Sequence, residues 1–138
     1  MDDDTYTILG CITKYKADDI RPYVESIEQT GFKGRKVMLV YDVPQETIDY
    51  LKSKGWDLFG GELQQHIILQ RFRDLYKLLG SEIKGTVIWT DVKDVIFQKD
   101  PTDWIEHNME DDILSFSECI TFKNDPWACV NAGTSFPM

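Results

Sequence analysis

A chain of 138 residues, 42% hydrophobic and 28% charged, has the balance of one ordinary globular domain and is long enough to bury a core. Its formal net charge of -9 argues against a general nucleic-acid binder, because neutralising phosphates takes clustered Lys and Arg. The three cysteines, Cys11, Cys119 and Cys129, are odd in number and show no CxxC spacing, which disfavours a disulfide framework or a structural zinc site and fits a reducing compartment.

The opening Met1-Asp2-Asp3-Asp4 is acidic where a signal peptide would be basic and then apolar. No apolar run approaches the roughly 20 residues of a membrane span. Both features predict a soluble, cytoplasmic protein.

Residues 6–13 (YTILGCIT) form a short β-rich apolar run. Residues 18–30 read as a helix, with Asp18 and Asp19 at its start, Pro22 in its first turn and Gly31 after its end. Ile20, Tyr23, Val24 and Ile27 give it an apolar face at helical spacing. Residues 36–41 (KVMLVY) are a second strand, after which Asp42 starts a turn. Pro44 opens a helix that runs to about Lys54 and is closed by Gly55. Residues 56–59 are a short third strand, broken by Gly60 and Gly61. A long helix covers 63–79, and Gly80 ends it. Residues 86–90 (TVIWT) are the next strand, with Trp89 as core. The acidic turn Asp91-Val92-Lys93-Asp94 follows, then the apolar run 95–97, a short helix at 101–107 and a further strand at 113–116.

Strands alternating with helices predict an α/β domain with a mostly parallel central sheet flanked by helices. In such sheets ligands bind outside the carboxyl ends of the strands. That rule singles out residues 13–15, Asp42, residues 91–94 and residues 117–118. The chain has neither GxGxxG nor GxxxxGK[ST], which argues against a standard dinucleotide fold or a P-loop.

Asp91 and Asp94 flank the bend after TVIWT. Two carboxylates three residues apart across a tight turn can point at one spot, and oxygen donors so placed suit Mg2+ or Mn2+ shared with phosphate oxygens and water. Asp is also an ordinary turn residue, because its side chain bonds nearby backbone N–H groups. Spacing leaves both readings open. His66 and His107 read as surface residues.

The stretch VIWTDVKDVIFQKDP resembles the segment around the DxD-type motif of GT-A glycosyltransferases, the nucleotide-diphospho-sugar transferases. Its D-x-x-D form, followed by Phe97-Gln98 and Asp100-Pro101, is similar to a subgroup that includes viral and bacterial sugar transferases. The resemblance extends over most of the chain, through ILGCITKYK, QRFRDLYKLL, SFSE and the closing NAGT.

The resemblance implies a Rossmann-like GT-A fold over residues 1–138, with part of the usual C-terminal acceptor region lacking. It implies a metal-dependent transfer of a sugar from a nucleotide-diphosphate donor, a UDP-sugar before a GDP-sugar, to a hydroxyl of a glycan acceptor. Asp91 and Asp94 take the place of the ligands for Mn2+ or Mg2+. Lys93 stands where a strict DxD has its second Asp, so Asp91 either binds the metal or holds the ribose and a metal-bound water. Thr13 and Tyr15 would cradle the nucleoside, and Asp42 would accept from base or ribose. Of Arg71 and Arg73, which diverge by about 200° on a helix, Arg71 is the one to reach the donor. Asn131 and Gly133 of NAG would line the donor sugar. Glu118 or Asp125 would be the acceptor-side base.

A second reading is a non-catalytic sugar-nucleotide-binding module. A third is a phosphotransfer domain with Asp91 as nucleophile, which accounts poorly for NAGT and for the Arg-bearing helix.

Overall fold

The computed structural model describes residues 6–63 and 66–114. The residues expected to act as base or to line the sugar, Glu118, Asp125, Asn131 and Gly133, lie outside them, as do residues 115–116 of the strand expected at 113–116, whose first two residues are not in a strand. The chain divides into two compact units, Met1–Trp104 and Ile105–Met138, and the sheet belongs to the first.

The elements run β1 (Tyr6–Thr13), α1 (Ala17–Thr30), β2 (Arg35–Tyr41), α2 (Gln45–Ser53), β3 (Asp57–Gly61), α3 (Ile67–Ser81), β4 (Thr86–Trp89) and α4 (Thr102–Asn108). The sheet is parallel throughout, in the order β3-β2-β1-β4. Strand order therefore reverses at β1: the chain builds outward through β2 and β3, then α3 carries it back to β4 on the other side. The crevice between the carboxyl ends of β1 and β4 is the switch point where such sheets bind ligands.

Residue parity separates the two faces of the sheet. Leu9 of β1 and Val37, Leu39 and Tyr41 of β2 form one core with Leu75 and Leu78 of α3 and with Ile83, and Cys11, Phe59, Val87 and Trp89 pack against it. The alternate residues Ile8, Ile12 and Met38 are fully buried on the opposite face. Ile20, Tyr23, Val24 and Ile27 of α1 and Leu51 of α2 are buried too, and supply its cover. Fully burying such an aliphatic side chain contributes about 1.5–3 kcal/mol.

Local signals set the ends of α1. Asp19 accepts a hydrogen bond from the Lys16 N–H (2.9 Å), and Gly31 takes a left-handed φ of 77° while its N–H donates to the Glu28 carbonyl. Pro22 lies beyond the first turn, one position further in than the sequence suggested.

Three further expectations differ from the structure. Gly60 and Gly61 do not break β3; they pair in register with Val40 and Tyr41. A Cβ on Gly60 would collide with the Val40 carbonyl, so glycine is what lets the strands close here. Helix α3 starts at Ile67, later than expected. Strand β4 is half-buried along its length, so Trp89 is not a core residue, and among the described residues β4 pairs only with β1. No described helix is long and apolar enough to cross a membrane.

Past β4 the chain stays close to β1. The Thr90 N–H donates to the Leu9 carbonyl at 3.2 Å, and Val92 is buried over Gly10. A Cβ built on Gly10 would stand 2.5 Å from Val92 Cγ2 and 3.1 Å from Met38 Sδ, so the bare backbone makes room for the turn. Gly10→Ala is expected to destabilise the protein by about 1–3 kcal/mol through overpacking. Combining it with Val92→Ala should cost less than the sum of the single changes, as urea unfolding of the four proteins would measure.

Candidate functional site

Parallel βα units bring the carboxyl ends of β1, β2 and β4 together with the first turns of α3. Thr13 ends β1 and Tyr41 ends β2, and they are register partners. The next residue after each strand, Lys14 (φ 58°) and Asp42 (φ 53°), is left-handed. These are the two non-glycine residues with positive φ among those described. The conformation costs of the order of 1–2 kcal/mol for an L-residue, and such strain clusters at functional sites. The Lys14 N–H donates to the Tyr41 carbonyl (3.2 Å), tying the two strand ends together. Thr47 of α2 is buried and donates its hydroxyl to the Tyr15 carbonyl (2.8 Å), which fixes the loop after β1.

Arg71 reaches this edge from α3. Its guanidinium lies 3.6 Å from the Asp91 carboxylate, 5.7 Å from the centre of the Trp89 ring and 5.4 Å from that of Phe72. At 3.6 Å the Asp91 contact is an ion pair and not a hydrogen bond. With Asp91 72% exposed and Arg71 29% exposed, the pair adds little to stability. It does place a cation and a carboxylate together at the switch point. Arg73 pairs with Asp74 at 3.8 Å.

Two buried polar atoms here have no hydrogen-bond partner among the described residues, Thr13 Oγ1 and Arg71 Nε. Tyr50 Oη and Trp56 Nε1 also have none, so the property alone does not mark a site. At the strand ends it coincides with strained backbone and an exposed carboxylate. Leaving such a group unsatisfied costs about 1–3 kcal/mol, more if charged, and a ligand oxygen would relieve it.

The Lys93 ammonium lies 5.4 Å from the Tyr15 ring centre, within cation–π range. The ring expected to stack on a base thus already carries a cation. Asp94 is exposed, and the turn is closed by the Val95 N–H donating to the Val92 carbonyl (3.5 Å). Asp42 is exposed, as are His66 and His107.

Residues to which the sequence assigned no role in the site complete the edge. The Tyr41 hydroxyl donates to the Asp74 carboxylate, and burial first, that bond second, push its pKa far up. Burial likewise pushes the Cys11 thiol up to about 11; Arg71 opposes the rise, and Asp74 and Asp91 add to it. Asp74 was findable: it lies three residues after Arg71 and beside Leu75, on the face of α3 that meets the sheet. Cys11 shares its strand face with Leu9 by parity.

Among the described residues no group of three or more His, Cys, Asp or Glu could hold a metal ion. Asp91 and Asp94 are the exposed carboxylates of the turn; Mg2+ sites typically use one or two carboxylates and complete the shell with substrate phosphates and water. A cavity of about 300 Å³ lined by Thr7, Arg35, Glu82 and Lys84 opens at the opposite, amino-terminal end of the strands. Its Arg35 is already engaged by Asp57 (2.7 Å) and by the Glu82 carbonyl (2.7 Å).

No protein-family model matches this chain, and no curated protein matches it at significant similarity.

The raised thiol and phenols carry a signed consequence for stability. Above pH 9 the unfolded chain releases the Cys11 proton while the folded chain keeps it up to about 11. Folding stability should therefore fall as pH rises through that window. Cys11→Ala should show a shallower decline from pH 9 to 11 in urea midpoints, while Tyr41 and Tyr23 continue it above pH 10.

Proposed function

We propose that this chain is a metal-dependent glycosyltransferase of the GT-A fold, which moves a sugar from a nucleotide-diphosphate donor, UDP-linked before GDP-linked, to a hydroxyl of a glycan acceptor in the cytoplasm. The observation that carries the reading is the meeting of Arg71 and Asp91, 3.6 Å apart, across the switch point of a doubly wound parallel sheet. The D-x-x-D turn and its flanking Phe97-Gln98 and Asp100-Pro101 add the sequence resemblance.

In this reading Asp91 and Asp94 would hold Mn2+ or Mg2+, which would supply charge stabilisation for a leaving diphosphate. Arg71 offers its unpartnered Nε–H to a phosphate oxygen. Arg suits this task because its fork matches phosphate geometry and keeps its charge. The guanidinium lies over the Phe72 and Trp89 rings, which pack edge-to-face at 4.9 Å, and that contact limits the entropy lost on binding. The Thr13 hydroxyl and the Asp42 carboxylate face the nucleoside. Lys93 is exchanged from Tyr15 to the diphosphate when a base enters, which leaves the ring free to stack. Glu118 or Asp125 supplies the base, and Asn131 and Gly133 line the sugar.

Calorimetric titration of UDP and GDP, with and without Mn2+, tests the reading. Nucleotide binding should need the metal and should be abolished in Asp94→Ala. In Arg71→Ala it should weaken by about 10- to 100-fold, the worth of one hydrogen bond to a charged group. Hydrolysis of a UDP-sugar, or transfer from it, then assigns the enzyme. Metal-dependent binding with neither assigns the non-catalytic sugar-nucleotide module instead. No nucleotide binding under any of these conditions would overturn both.

A further inference from the structure

The chain between Thr90 and Phe97 carries both carboxylates, and helix α1 grips it at each end. The hydroxyls of Tyr23 and Thr90 are hydrogen-bonded at 2.8 Å, next to Asp91. Ser26 Oγ accepts the Phe97 N–H at 2.9 Å, three residues beyond Asp94, while donating to the Tyr23 carbonyl at 2.8 Å. The Tyr23 ring meets Phe97 edge-on, with centroids 5.8 Å apart and planes at 73°. Between the two anchors Val92 sits over Gly10.

Neither hydroxyl is what α1 needs for itself. Tyr23 is 1% exposed, and a Phe would bury the same ring without having to satisfy an O–H. Ser26 is buried as well, and a Ser that bonds back into its own helix slightly disfavours that helix relative to Ala. Both polar atoms are spent on the far chain, 67 and 71 residues away in sequence. Burial pushes the Tyr23 phenol up to about 12, partly opposed by Thr90, so the hydroxyl keeps its proton at any working pH.

We propose that Tyr23 and Ser26 are positioning residues for the acidic turn: acting through Thr90 and Phe97, they set the spacing of the Asp91 and Asp94 carboxylates and with it which divalent cation the turn accepts. The inference rests on the metal–diphosphate reading of the turn. Mg2+ demands near-ideal octahedral geometry, whereas Ca2+ accepts irregular oxygen shells. Loosening one anchor should therefore penalise Mg2+ more than Ca2+. A residue that only stabilised the domain would affect both metals alike.

The test uses Tyr23→Phe, Ser26→Ala and, from the other side of the first contact, Thr90→Val, each removing one hydroxyl from the whole chain. UDP is titrated in Mg2+ and in Ca2+, and melting and amide exchange are followed in parallel. We expect UDP affinity in Mg2+ to fall about three- to tenfold per variant, the scale of one lost hydrogen bond, with a change of less than about twofold in Ca2+. Exchange of the Val95 and Phe97 amides should quicken. Tyr23→Phe combined with Thr90→Val should lose no more than either alone, since both break one contact. Thr90→Val and Ser26→Ala still decide the matter if Tyr23→Phe does not fold. Unchanged affinity in Mg2+, or an equal fall in both metals, would overturn the positioning role while leaving the reading of the turn intact. If the unaltered protein binds UDP in neither Mg2+ nor Ca2+, this inference fails; if it does not bind in Mn2+ either, the reading of the turn fails with it.

Discussion

The absence of a side chain at Gly10 is the constraint on which the rest of the site depends. Gly10 lies in β1, which is flanked by β2 and β4, and Val92 occupies the space a Cβ would fill. That contact makes the chain leaving β4 fold back over the sheet and not run on past it. Asp91 is left on the side of α3, beside Arg71, while Phe97 arrives on the side of α1, beside Tyr23. One close approach thus divides a short acidic segment between the two faces of the sheet.

The polar groups that touch the acidic segment and its strand ends differ in how well they are satisfied, although Tyr50 Oη and Trp56 Nε1, away from the turn, also lack partners among the described residues. On the α1 side the hydroxyls of Tyr23, Thr90 and Ser26 are all bonded. On the α3 side Arg71 Nε and, at the strand end, Thr13 Oγ1 are buried without a partner among the described residues. A fully bonded network resists displacement, and unsatisfied groups gain most from a new one. The three bonded hydroxyls are therefore suited to hold the turn, and the unsatisfied groups beside Asp91 have most to gain from a new partner. Formal charge agrees: Arg71 and Lys93 offset Asp91 and Asp94, so the edge is locally balanced within a chain of net charge -9. A divalent cation added to that balance would leave it positive, which is what a diphosphate needs.

The fold was legible where periodicity is strong. The runs YTILGCIT and KVMLVY gave two strands, and the Ile20, Tyr23, Val24, Ile27 spacing gave α1 and its buried face. Reading failed at Gly60-Gly61, because glycine ordinarily signals a break while here it permits close pairing with Val40. It failed at Trp89, because the run TVIWT does not say whether a strand ends up flanked on both sides. The acidic turn and Arg71 were singled out from sequence by spacing and resemblance, and the structure brings Arg71 and Asp91 within 3.6 Å. The Tyr41–Asp74 bond and the α1 anchors were not, since each joins residues at least 33 positions apart with no motif between them.

The Lys93 position shows how the pieces limit one another. In a strict DxD turn an acid would stand there, and three carboxylates within four residues would repel unless a metal were present. With Lys the turn carries its own partial counter-charge and can keep its shape empty. The ammonium rests over Tyr15, whose backbone is pinned by Thr47. Cation–π contact at an exposed site is worth only about 0.5–1 kcal/mol, which is less than a hydrogen bond to a phosphate oxygen. Lys93 is therefore held loosely enough to leave Tyr15 when an anion arrives. An Asp at 93 would raise the demand for metal and remove the cation that the ring now holds. The D-x-x-D spacing and the Lys within it work as one arrangement: the wider spacing leaves room for a side chain that keeps the two acids compatible before any ligand is bound.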